Sequence, residues 1–144
     1  MSQTSFLRKK KILIVDDHAE LLELLREQFK DEGFAVATAS NGVDAIRKAR
    51  ALLPDLIILD VKLPELDGLA VCEILRNDPG TSSIPVVMMS GLPGQITRCA
   101  GIESGATDFV SKPVNPAEIV SKVKAYFQKR SPALASAQAE GSRR

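Results

Sequence analysis

Five short apolar runs, each followed by a stretch of helical periodicity, divide most of this chain, and that alternation limits the folds open to it. The runs are residues 12–15, 35–39, 56–59, 86–89 and 108–110. Leu21, Leu22, Leu25 and Phe29 share one helical stripe, as do Ile119, Val120, Val123 and Phe127. Residues 43–52, 68–77 and 95–104 fill the second, third and fourth helical positions. The first, third and fourth runs are almost continuously apolar, as strands buried on both faces must be. Strict β-α alternation with such strands implies a parallel sheet covered by helices on both sides. Right-handed crossovers then make a doubly wound, three-layer α/β sandwich. Local signals agree: Asn115, Pro116 and Glu118 form a helix start, and Pro85 stands just ahead of a strand. Gly33 and Gly105 sit where helices should close with a left-handed residue.

A chain of 144 residues has room for one substantial core. No apolar run approaches the ~20 residues of a membrane span, and the basic cluster before the first strand does not lead into a signal-peptide cleavage site. The expectation is a cytoplasmic protein without membrane association. The net charge of +1 resolves into +4 over residues 1–11, +2 over residues 130–144 and −5 between them. An acidic body with basic ends is not the pattern of a nucleic-acid binder, whose basic residues gather on a folded face. Cys72 and Cys99 lie 27 residues apart with a single histidine in the chain, so two reduced thiols in helices are expected rather than a metal or disulfide framework.

The polar residues fall at strand ends. The first strand runs into Asp16 and Asp17, the third into Asp60, the fourth into Ser90 and the fifth into Lys112. In an open parallel sheet the carboxyl ends share one edge, where ligands bind. Each residue also has a local explanation. Asp17 with Glu20 suits a capping box for the first helix, Ser90-Gly91 suits a turn, and Lys112 suits a solvated surface. Capping leaves Asp16 unexplained, however. Three neighbouring carboxylates repel one another unless a cation sits among them, and an oxygen-only donor set favours partly hydrated Mg²⁺ over a calcium cage. His18 opens the first helix and reads as a surface residue without a catalytic role.

At these positions "ILIVDD", "LIILDVKLPELDG", "VVMMSG" and "DFVSKP", in this order, resemble the receiver domain of two-component response regulators. The resemblance covers about residues 10–128. It implies a flavodoxin-like (βα)5 fold with parallel strand order 2-1-3-4-5. Residues 1–10 are then a basic N-terminal tail, 11–128 the receiver domain and 129–144 a disordered C-terminal tail. It further implies Asp60 as the phosphoacceptor and Mg²⁺ held by Asp17, Asp60 and the backbone carbonyl of Lys62, with Asp16 binding through water. Ser90 and Lys112 would contact the phosphoryl oxygens, and Ser90 with Phe109 would form the switch. Phe109 also suits a plain core position. The signalling surface would comprise the fourth helix, fifth strand and fifth helix. The Lys112-Pro113 bond is commonly cis in the family. Lys62 and Leu92 flank the site at positions that influence how fast the acyl phosphate hydrolyses, and Gly68 and Pro64 serve loop geometry.

The implied partners are a histidine kinase or histidine phosphotransfer protein as phosphodonor and an unknown downstream protein. The chain itself would be a monomer or a phosphorylation-dependent dimer, and a stand-alone receiver. It would be a signalling phosphoacceptor rather than an enzyme. Two rival readings exist. A receiver-like interaction module that is never phosphorylated would not need every active-site position filled by a competent residue. A haloacid-dehalogenase-type phosphatase would need a second aspartate where Lys62 stands. Nucleotide binding finds "DDHAE" after the first strand in place of a glycine-rich cradle.

Overall fold

The computed structural model describes residues 8–91 and 102–129. Its body, up to Val114, is a five-stranded, all-parallel sheet in the order β2-β1-β3-β4-β5. The elements are β1 Lys11–Val15, α1 Ala19–Asp31, β2 Ala35–Ala39, α2 Gly42–Leu52, β3 Leu56–Asp60, α3 Gly68–Arg76, β4 Val86–Ser90 and β5 Asp108–Ser111. Residues 102–104 are helical and lead into Gly105. The rest of the predicted fourth helix, with Leu92 and Cys99, lies outside the described residues, as do residues 1–7 and 130–144. A second unit begins at Asn115 and contains α4, Pro116–Lys129.

The buried pattern follows the apolar runs. β3 and β4 are buried along their whole length and β1 almost so, whereas the edge strands β2 and β5 are half-exposed. Alternation along the strands sorts the core into two faces. Leu13, Val15, Ile57, Leu59, Val86 and Met88 meet Ala45, Ile46 and Ala49 of α2 and Val71, Cys72 and Leu75 of α3. Ile12, Ile14, Ile58, Val87 and Met89 are equally buried and belong to the opposite face. α1 packs on β1 and β2 with Leu25 and Phe29 buried. Phe29 meets Phe34 edge-to-face at 5.4 Å between centroids, a contact worth about 1 kcal/mol beyond its burial. Cys72 is a buried free thiol.

The helix ends show where the chain is punctuated. Gly33 and Gly105 have φ of 94° and 98°, the left-handed closure expected of them. The Asn115 side chain accepts from Ala117 N–H at 3.0 Å and Glu118 N–H at 3.4 Å, starting α4, whose buried stripe is Ile119, Val120 and Val123. Asn41 and Asp67 cap α2 and α3 through their side chains. α1 behaves differently. Its N-cap is His18, which makes no side-chain cap bond. The predicted Asp17–Glu20 capping box is therefore absent, because His18 N–H donates to Asp16 Oδ1 at 2.8 Å. That Asx-type bond starts the helix one residue later. Among the described residues no helix is long and apolar enough to cross a membrane.

The loop after β3 is bent hard against the strand. Leu66 N–H donates to Pro64 carbonyl oxygen at 2.7 Å around Glu65, whose φ is 70°, a γ-turn. Gly68 N–H then returns to the Val61 carbonyl at 2.8 Å. A Cβ on Gly68 would lie 2.2 Å from the Asp60 carbonyl oxygen, so only glycine lets α3 begin this close to the end of β3. Gly33, by contrast, has nothing within 4 Å of a would-be Cβ and carries only the φ penalty. Gly68→Ala should cost about 3 kcal/mol in urea denaturation, where backbone must shift, against about 1 kcal/mol for Gly33→Ala. Equal costs would mean that the loop does not need glycine at its closest approach to the strand.

Candidate functional site: an acidic pocket bridged by a lysine

Four of the polar residues singled out from the sequence are held by the sheet's own hydrogen bonding. The strands run one residue further than the apolar pattern, so Asp60 and Ser90 belong to β3 and β4. The ladders continue past the strand ends: Asp16 N–H donates to Ala39, Val61 N–H to Met89 and Lys112 N–H to Ser90, at 3.1, 3.0 and 2.8 Å. Asp16, Asp60, Ser90 and Lys112 are thus fixed in backbone position at one edge of a rigid scaffold. The peptide bond between Lys112 and Pro113 is cis.

The side chains converge on Lys112. Its Nζ donates to Asp16 Oδ2 and to Asp60 Oδ2, each at 3.0 Å. Asp16 is wholly buried and Asp60 nearly so. The outer oxygen of Asp16 accepts from His18 N–H, and His18 Nδ1 lies 3.0 Å from the same oxygen. Asp60 Oδ1 receives only a long 3.3 Å bond from Lys62 N–H. Asp17 is the open member of the group, with a side chain 40% exposed, 3.3 Å from His18 Nδ1. One ligand atom from each of Asp16, Asp17, His18 and Asp60 lies within 4.8 Å of the others. The contact of His18 with both aspartates was not readable from the sequence, because helix periodicity places its Cα and not the direction of an exposed ring.

Ser90 ends β4, one residue beyond the partner of Asp60, and is buried. Phe109 pairs with Met88, half-buried against the α2–α3 side of the core. The signalling surface read from the sequence depends in part on residues outside those described.

Burial pushes the Asp60 carboxyl up, and the neighbouring Asp16 charge adds to it; Lys112 and the Lys62 N–H pull the other way without cancelling the rise. Burial opposes the charge on Lys112, but its two carboxylate partners more than restore it and hold the ammonium above its ordinary range. The site therefore keeps its cation while leaving Asp60 strained as an anion.

A doubly wound parallel sheet with a lysine-bridged acidic pocket at its carboxyl edge is a fold and site found in phosphotransfer signalling. The chain belongs to the response regulator receiver domain family, whose model matches residues 12–124. It is 39% identical over 121 residues to the DNA-binding response regulator MtrA of Mycobacterium tuberculosis, covering 84% of this chain and 52% of the relative. It is 40% identical over 120 residues to the alkaline phosphatase synthesis transcriptional regulatory protein PhoP of Bacillus subtilis, covering 83% and 49%. The chain thus spans about half the length of the curated relatives it matches. Among solved structures, a two-component response regulator from Clostridium difficile superposes with a TM-score of 0.80 at 28% identity, covering 85% of this chain and 99% of that one. A response regulator of Chloroflexus aurantiacus, described as putative, gives 0.77 at 35% identity, covering 82% and 97%.

The raised Asp60 pKa has a definite sign in stability. Between the usual aspartate range and the raised value, the folded state holds a proton that the unfolded chain has lost. Stability therefore falls as pH rises through that window, and the loss is complete above it. In EDTA at neutral pH, Asp60→Asn should unfold at a higher temperature than the parent. The gap should close as the pH is lowered through the carboxylate range. A variant less stable than the parent at neutral pH would mean that Lys112 outweighs burial and the Asp16 charge at Asp60.

Proposed function

We propose that this chain is a phosphoacceptor receiver in which Asp60 takes a phosphoryl group from a histidine kinase or histidine phosphotransfer protein. The observation that carries the reading is the Lys112 bridge between two buried carboxylates, 3.0 Å on each side. The same bridge argues for Asp60 as the nucleophile. Both oxygens of Asp16 are engaged, one by Lys112 and one by His18, whereas Asp60 Oδ1 carries only its long contact from Lys62 N–H. That oxygen is the least committed of the buried pair, and its sister oxygen Oδ2 is already held by the Lys112 ammonium.

In the transfer, a lone pair of Asp60 Oδ1 forms the bond to phosphorus as the donor's bond to phosphorus breaks. With a phosphohistidine donor the electron pair returns to the imidazole nitrogen; with acetyl phosphate it leaves as acetate. The product is a mixed anhydride. Lys112 and Ser90 stand at the same edge to meet charge spread over the phosphoryl oxygens.

The donor set suits Mg²⁺. Three carboxylates outweigh one ammonium, a surplus that one divalent cation cancels, and all three are hard oxygen donors. Asp17, Asp60 and the Lys62 carbonyl would hold the ion and Asp16 would bind through water; bound Mg²⁺ supplies positive charge for the phosphoryl oxygens.

Phosphorylation adds charge and acceptor oxygens beside Ser90, and Ser90 with Phe109 would carry the change to a protein partner. Residues 11–128 would form the receiver unit. DNA binding and transcriptional regulation are named for relatives of which this chain spans about half; for the span of this chain, protein contacts are the output we favour.

Intact mass after incubation with Mg²⁺ and acetyl phosphate tests the proposal. One phosphoryl adduct should form, should require Mg²⁺, and should be absent in Asp60→Asn. No adduct under conditions that phosphorylate a control receiver, with no binding of beryllofluoride, would favour an unphosphorylated interaction module.

A further inference from the structure

His18 is the only histidine in the chain, and the direction of its ring is not accounted for by helix capping or packing. As the N-cap of α1 it makes no side-chain cap bond. Its side chain is 69% exposed, so packing does not fix the ring. Even so, Nδ1 lies 3.0 Å from Asp16 Oδ1 and 3.3 Å from Asp17 Oδ1. The field of the carboxylates draws the ring inward, on the side of Asp16 away from Lys112.

This places a nitrogen donor among the oxygens assigned above to a divalent cation. Building on that assignment, we propose that His18 is a metal-specificity residue: its Nδ1 joins the coordination of a first-row transition cation such as Mn²⁺, and stays off Mg²⁺. Donor atoms of Asp16, Asp17, His18 and Asp60 lie within 4.8 Å of one another. An ion with bonds of about 2.1 Å bridges donors about 4.2 Å apart, and an exposed ring closes that difference by rotating. Mg²⁺ is satisfied by carboxylates, carbonyls and water, whereas imidazole adds affinity for transition metals. A site of hard oxygens with one movable imidazole therefore takes both kinds of ion, and His18 separates them. The consequence is a receiver whose metal loading follows the available transition-metal pool as well as Mg²⁺.

The test uses the full chain, with His18→Ala and His18→Gln beside the parent. Calorimetric titration with Mn²⁺ should show dissociation constants about tenfold higher in both variants, with Mg²⁺ affinity within about twofold of the parent. Electron spin-echo modulation of the Mn²⁺-loaded parent should show a directly bound imidazole nitrogen that both variants lack. Equal weakening toward Mn²⁺ and Mg²⁺ would mean that His18 acts only through the local field, and would overturn the assignment, as would Mn²⁺ affinity unchanged and no nitrogen signal. A parent that binds neither ion would overturn the cation site itself; Mg²⁺ binding without a His18-dependent Mn²⁺ preference would overturn only the role of His18.

Discussion

The site depends on one ammonium placed between two carboxylates that the sheet forces together. β1 and β3 are neighbours and pair in parallel, so their carboxyl ends, Asp16 and Asp60, arrive side by side and almost without solvent. Two buried anions in contact are costly. Lys112 resolves the conflict from the far side of β4, at the end of β5. The lysine reaches there because its own N–H extends the β4–β5 ladder. The compensation is incomplete, since Asp60 stays harder to ionise than an ordinary aspartate. The pocket thus retains an excess of negative charge around a fixed cation, the charge balance on which the proposed metal site rests.

The loop after Asp60 shows how the scaffold serves this placement. Gly68 lies so close to the Asp60 carbonyl that α3 begins almost on top of the strand end. The γ-turn at Glu65 provides the reversal. Lys62, ahead of this turn, points its N–H toward Asp60 Oδ1, which limits where that oxygen can point. Strand register, loop strain and carboxylate orientation are therefore one linked constraint.

Much of this was legible in the sequence because parallel sheets write themselves as apolar runs. Strand order and the gathering of Asp16, Asp60, Ser90 and Lys112 at one edge followed from alternation and from the resemblance to receivers. The strand ends were read one residue short at Asp60 and Ser90, since a polar side chain ends an apolar pattern without ending a backbone ladder. Asp17 was open to reading as a helix cap because Asp and Glu three residues apart suit one. The competing bond from His18 N–H to Asp16 is an Asx-type bond just as local, and two adjacent aspartates leave the choice between the two starts open. The inward turn of the His18 ring escaped because its partners are the two preceding aspartates, and a sequence pattern places an exposed residue without giving the direction of its ring.

A double-mutant cycle between Asp60→Asn and Lys112→Met, read by urea denaturation in EDTA, tests the lysine bridge most directly. Lys112→Met should cost at least about 1 kcal/mol more in the parent than in the Asp60→Asn background, because it leaves two buried anions facing each other only in the parent. Additive effects, agreeing within about 0.3 kcal/mol, would mean that the ammonium does not hold the acidic pocket together.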